Sequence, residues 1–256
     1  MTNTPTESTP SESGEQTPPG NTAATEENRV RFPRAHAYIQ RHEFLASVTK
    51  VMSGTGLAQL IAALATLYVT HHIDPSDWGI YGAIMAVSQF VIPAAALRYE
   101  MAIVLPRDNS EAKRVLRLAT RINAVVSTLA MLSMIPLGGF LSGLLGKPQA
   151  RWWLLAVGPI VFAYTQVNVV NYWANRRKQF GIIGTNALWC QSTTAVGRIT
   201  SCAINAAAFG QVVATFLGKC LALNNFRRRL GPDLRAIEES DMPMRAVMRK
   251  YRQLPL

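Results

Sequence analysis

The sequence predicts an all-α fold, a polytopic membrane helical bundle of about six transmembrane helices. Three observations lead there. The 256 residues are 49% hydrophobic but only 16% charged, where a soluble domain carries roughly 25% charged residues. Four uncharged runs reach the ~20 residues that a membrane-crossing helix needs. The basic residues collect in alternate loops, as they do in membrane proteins with a fixed orientation.

Charge first invites another reading. With 26 Lys+Arg against 15 Asp+Glu, the chain carries +11 and a pI near 10.1, a balance that often marks nucleic-acid binding. The low total charge argues against it. The mean hydropathy of +0.11 averages two unlike parts. Residues 1–28 hold five Glu and no Lys or Arg, among many Thr, Ser and Pro. The remainder is apolar and has 26 basic against 10 acidic groups. Residues 1–43 therefore read as a disordered acidic tail with a basic pre-helix segment, since such a composition buries too little apolar surface to offset its ordering entropy. The start lacks the basic and apolar regions of a signal peptide.

The secure runs are Val51–Thr70, Trp78–Leu97, Ile122–Gly146 and Trp152–Asn175, each flanked by charged or histidine residues. The stretch from Ile182 to Leu223 is interrupted only by Arg198 and Lys219. As one helix it would run roughly 60 Å, twice the ~30 Å hydrocarbon thickness. Two helices with a tight turn near Ser201–Asn205 fit better, with Arg198 snorkelling from the end of the fifth. The expected spans are about 51–70, 79–97, 122–143, 152–173, 182–202 and 205–224, within a bundle covering 44–226. Residues 227–256 form a basic cytoplasmic linker in which Met242–Arg252 is either a helix on the inner leaflet or a solvated one.

Orientation follows from the loops. Arg29, Arg31, Arg34, Arg41 and Lys50 precede the first span, and the loop from His71 has two Asp and no Lys or Arg. Arg98, Arg107, Lys113, Arg114, Arg117 and Arg121 come next, then only Lys147 and Arg151, then Arg176–Lys178 and Arg227–Arg229. Six helices with both termini in the cytoplasm satisfy this alternation, whereas five would put Arg227–Arg229 outside. Trp78, Trp152, Trp153, Tyr172 and Trp173 cluster at span ends, where amphipathic rings favour the interface.

Polar residues within spans need partners or water. Ser53, Gly56 and Leu60 lie near one face of the first helix with Gln59 beside them, for close helix packing or for a wet cavity. Asn168, Asn171 and Asn175 share a face of the fourth, pointing to a neighbouring helix or a central aqueous cavity, and Gln166 and the Thr- and Gln-rich fifth helix add polarity. Arg98 and Glu100 sit just past an apolar run, either paired with their surroundings or projecting into water. Pro93, Pro136 and Pro159 lie inside spans, where they kink helices.

Chemistry is less in evidence. Cys190, Cys202 and Cys220 lie in apolar stretches, and neither Cys-x-x-Cys nor a nearby His pair occurs, so no disulfide framework, metal or cofactor is expected. No nucleophile–base constellation and no Gly-x-x-x-x-Gly-Lys-Ser/Thr loop is present. The chain does not read as an enzyme.

Three segments carry a resemblance, in order: Ser-Gly-Thr-Gly-Leu-Ala-Gln-Leu-Ile at 53–61, Leu-Arg-Tyr-Glu-Met-Ala-Ile-Val-Leu-Pro-Arg-Asp at 97–108, and Asn-Tyr-Trp-Ala-Asn-Arg-Arg-Lys-Gln-Phe at 171–180. With Asp-Trp-Gly at 77–79, residues 44–256 resemble the N-terminal half of the polysaccharide-repeat-unit (O-antigen type) flippases of the multidrug/oligosaccharidyl-lipid/polysaccharide (MOP) exporter superfamily. The resemblance implies a bacterial inner-membrane transport protein of lipopolysaccharide or polysaccharide biosynthesis. Such proteins move undecaprenyl-diphosphate-linked oligosaccharide between leaflets by alternating access. It implies a lipid-linked oligosaccharide and membrane lipids as partners, no nucleic acid, and no cofactor. Arg98 and Arg198 then become candidates for diphosphate or cavity contacts, Gln59, Asn168 and Asn171 for glycan hydroxyls, and Glu100 joins them through its motif.

Family members carry twelve to fourteen helices in two related halves, so a half-length chain is expected to dimerise, to pair with a second half, or to be a truncated product. The other readings are export of drugs or of a peptidoglycan precursor, a non-transporting scaffold for polysaccharide-synthesis enzymes, an inactive fragment, and a membrane-embedded enzyme.

Overall fold

The computed structural model describes residues 49, 51–144, 146, 148, 150–238 and 244–251, all in a unit spanning 46–256. The acidic tail, the basic residues from Arg29 to Lys50 and Lys147 lie outside the described residues.

Every regular element among the described residues is helical. Helix α1 is Val51–His72, α2 Pro75–Ala95, α3 Tyr99–Ala102 and α4 Asn109–Leu144. Helix α5, Ala150–Trp153, runs through a 3-10 turn at Leu154–Ala156 into α6, Val157–Arg176. Helices α7, Phe180–Ala203, and α8, Ala207–Ala236, form a hairpin, and α9 is Met244–Lys250.

Among the described residues, four helical stretches are long and apolar enough to cross a membrane: α1, α2, α4 and the continuous Ala150–Arg176. Helices α7 and α8 have the length, at 24 and 30 residues, but their polar side chains keep them outside that group. Leu57, Leu60, Leu64 and Leu67 are exposed along one row of α1, and Phe90 is 86% exposed on α2. An apolar row of that length suits acyl chains rather than water.

Local chemistry sets the helix ends. The Asp74 carboxylate accepts the Ser76 amide at 2.8 Å, and Pro75 occupies the first helical position, so α2 starts there. It ends in two successive left-handed residues, Leu97 at φ 46° and Arg98 at φ 57°. Neither is glycine, so the turn stores strain of about 1 kcal/mol or more per residue. The turn drops α3 beneath the bundle, with Tyr99, Ala102 and Ile103 buried. The α7–α8 hairpin turns at Ile204–Ala206, where Asn205 takes φ 51°.

Small residues let the helices approach. A Cβ on Gly54 of α1 would fall 2.9 Å from the Gly184 backbone of α7. One on Gly158 of α6 would fall 2.5 Å from Met131 Cβ of α4. Close backbone approach at small residues is the normal means of helix association in a bilayer.

Two apolar clusters hold the bundle. One joins Tyr99, Val115, Trp173, Phe226 and Leu230 with Val247 and Tyr251. The other joins Ile80, Ile84, Leu154, Ile160 and Val212. The α9 segment docks on α4. Val247 is fully buried, Lys250 Nζ meets Glu111 Oε1 at 2.6 Å, and Tyr251 Oη donates to the same oxygen at 3.0 Å.

Candidate functional site

A polar cavity of about 210 Å³ lies among α1, α6, α7 and α8. Each helix contributes polar groups to it: Gln59 from α1, Asn168 and Asn171 from α6, Asn186 and Gln191 from α7, and Lys219 from α8. Asn168 and Asn171 share a wall because they are three residues apart on one helix. The Gly54–Gly184 approach brings α1 close enough for Gln59 to face them.

Most of these side chains have open hydrogen-bonding capacity. Gln59, Asn168 and Asn171 make no side-chain hydrogen bond to other described residues, and Asn186 Oδ1 accepts from Asn225 Nδ2 at 3.0 Å. The volume suits a compact headgroup fragment rather than a whole oligosaccharide, because drug-sized pockets run to about 300–1,000 Å³.

Lys219 gives the cavity its sign. Its Nζ lies 4.1 Å from the Tyr164 ring centroid, and no carboxylate is among the described lining residues. A ring face attracts an ammonium without neutralising it, so the positive charge stays available to an anion. From the sequence, Lys219 is legible only as an interruption in an apolar run. Its clue is that a lone Lys deep in such a run must face protein or water.

Arg198 lies elsewhere. Only 8% exposed, it donates from Nε to Gln211 Oε1 at 2.9 Å and from Nη1 to Thr66 Oγ1 at 3.4 Å. Its guanidinium also sits 5.3 Å and 5.2 Å from the Trp78 and Tyr81 rings. Gln211 is fully buried and donates in turn to the Arg198 carbonyl and to Ser201 Oγ. Arg198 thus ties α1, α2, α7 and α8 together, and it does not snorkel outward.

Arg98 and Glu100 stand apart from both. Arg98 is exposed and makes no ion pair with Glu100. Glu100 Oε2 is buried without a partner. Burial pushes its carboxyl above the usual range, against the opposing pull of a backbone hydrogen bond and of the Arg98 charge.

The following loop is held by Arg176, which the sequence shows only as an orientation charge. Its guanidinium donates to the carbonyls of Ile103, Val104, Pro106 and Asp108 at 2.5–3.3 Å and to Asn109 Oδ1 at 3.2 Å. Five donors in a fixed fork suit such a fan of oxygens.

The α6 polar residues divide between the two expected roles. Gln166 joins α6 to α4, donating to Thr120 Oγ1 at 3.1 Å and accepting from Asn123 Nδ2 at 3.3 Å. Asn168 and Asn171 face the cavity, and Asn175 is exposed. Of the six sequence candidates, the fold therefore gathers Gln59, Asn168 and Asn171 at one place and leaves Arg98, Glu100 and Arg198 outside it. No family model, no curated protein and no solved structure matches this chain.

Proposed function

We propose that the chain is a bundle of a flippase for undecaprenyl-diphosphate-linked oligosaccharide in the bacterial inner membrane, acting in O-antigen-type polysaccharide biosynthesis. In this reading it crosses six times, with α7 and α8 as the last two crossings and both termini cytoplasmic. The observation that carries the reading is the cavity itself: among the described residues, uncharged amides around one cation, with no carboxylate in the lining. Amides match glycan hydroxyls, and an unneutralised ammonium matches a diphosphate. The resemblance of residues 44–256 to the first half of such transporters supports the same substrate class.

Alternating access works between two bundles. The opposing one comes from more of the same polypeptide, from a second chain or from a second copy. The polyprenyl tail stays in the bilayer while the cavity takes the headgroup. Arg98, on the strained turn after α2, and Glu100, in α3, belong to the cytoplasmic mouth in this account, and Arg198 is a positioning residue for the cavity walls.

Complementation of a flippase-null strain is the test, with the chain alone and with the second half of a related transporter supplied separately. Restored surface polysaccharide in either arm supports transport. Stable membrane insertion without export in both arms contradicts it.

A further inference from the structure

We propose that the cytoplasmic end of α8 carries a docking site for an anionic phospholipid headgroup of the inner leaflet. The proposal rests on the reading of α8 as a sixth crossing, and it is independent of what the cavity carries.

A groove of about 550 Å³ runs along this end of α8, lined by Asn224, Arg227, Arg228, Gly231 and Arg235 among others. Arg227, Arg228 and Arg235 are basic residues of this groove that make no ion pair among the described residues. Among the described residues, the nearby acids are directed elsewhere or stand clear: Asp233 accepts from Gln179 Nε2 at 3.0 Å, and Glu238 is exposed outside the groove. Lys219 is the one charge between Phe209 and Phe226, so the arginines begin where the apolar stretch stops. That is headgroup depth for a crossing helix.

Glycine makes the groove a pocket. Arg228, Gly231 and Arg235 fall on one face of the helix, three and four residues apart. Nothing lies within 4 Å of where a Gly231 Cβ would be. Two arginine side chains can close from either side onto a phosphate in that gap, with Asn224 as a further donor. Guanidinium groups bind phosphate with paired N–H donors. Position and charge favour a lipid over nucleic acid, since the arginines follow directly on the apolar stretch of α8.

The test uses the full chain extracted in nanodiscs of phosphatidylglycerol and phosphatidylcholine, with native mass spectrometry counting retained lipid. Wild type retains phosphatidylglycerol preferentially. Replacing Arg227, Arg228 and Arg235 with Gln lowers its retention by about tenfold or more, since each basic residue near an anionic surface is worth roughly fivefold. Gly231→Leu fills the groove without changing charge, its Cβ having nothing within 4 Å, and it lowers retention too. The control pair Arg177→Gln and Lys178→Gln, exposed at the end of α6 and outside the groove, lowers retention by clearly less than the triple variant. Full retention by the triple variant overturns the proposal. So does equal loss from the control pair, or displacement of the lipid by millimolar inorganic phosphate, which marks a free-anion site. Maleimide labelling of Arg228→Cys in cells separates the two levels. Labelling from outside defeats the six-crossing reading and the inner-leaflet assignment, even where retention depends on the arginines.

Discussion

Replacing Lys219 with Met removes the cavity's cation while keeping much of the side-chain bulk, and so isolates charge. A diphosphate in a cavity of 210 Å³ comes within about 4 Å of Nζ, where two unit charges interact by roughly 4 kcal/mol at an effective dielectric of 20. Truncating one partner of such a pair typically costs about 2–5 kcal/mol. The expected loss in affinity is therefore about 2–4 kcal/mol, or roughly 30- to 1,000-fold. The cation–π contact with Tyr164 at 4.1 Å adds about 1 kcal/mol to the stability effect, and thermal unfolding of the purified protein measures that part separately. Binding of undecaprenyl diphosphate to the detergent-solubilised protein is the assay. Lys219→Arg keeps the charge and should bind within a few-fold of wild type. A Lys219→Met protein that unfolds normally and binds within twofold of wild type would refute the reasoning.

Other consequences can be checked on the same preparation. Gly158→Ala places a Cβ 2.5 Å from Met131 Cβ and 2.9 Å from the Ser127 carbonyl; this overpacking should cost about 1–3 kcal/mol, read as a lowered unfolding temperature. Glu100 binds its proton more tightly when folded, so its contribution to stability is fully present below pH about 4.5 and is lost as pH rises through the raised value; Glu100→Gln should flatten that slope in thermal unfolding, and an unchanged slope would remove the burial argument. Lys250 and Tyr251 are both shifted upward, Lys250 chiefly by its hydrogen bond to Glu111 and Tyr251 chiefly by burial. Their contribution is present at neutral pH and lost as pH rises through the alkaline range, so hydrogen exchange or limited proteolysis at α9 should increase there first, and Glu111→Gln should bring the release to neutral pH.

The legible parts of the fold were those written in local pattern. Uncharged runs identify α1, α2, α4 and α6, because a lipid-facing helix must be apolar over its own length. The α7–α8 turn was placed from length alone, near Ser201–Asn205, and the chain reverses at Ile204–Ala206, where Asn205 tolerates the left-handed conformation. Docking of α9 could not be read this way, since Lys250 and Glu111 are 139 residues apart. The site divides likewise. Gln59, Asn168 and Asn171 are visible as amides in apolar helices that require partners or water. Lys219 is equally visible, but its direction depends on Tyr164 in another helix. The resemblance alone makes Arg198 a candidate substrate contact, and its partner Gln211 lies across the hairpin with no periodic signature. The Asn stripe of α6 reads as one face, of which Asn168 and Asn171 line the cavity and Asn175 is exposed, while Gln166, off that stripe, makes the α4 contact. Side chains that close on one another across helices leave no mark in the spacing of either helix.

The central claim is that this bundle takes the headgroup of a lipid-linked oligosaccharide through a cationic polar cavity. The most direct measurement is translocation of fluorescent undecaprenyl-diphosphate-linked sugar in proteoliposomes holding this chain with a second transporter half. Wild type should translocate at a rate clearly above empty vesicles, and Lys219→Met should fall to a small fraction of it while Lys219→Arg remains active. Translocation at the empty-vesicle rate by wild type, or at an undiminished rate by Lys219→Met, would contradict the account.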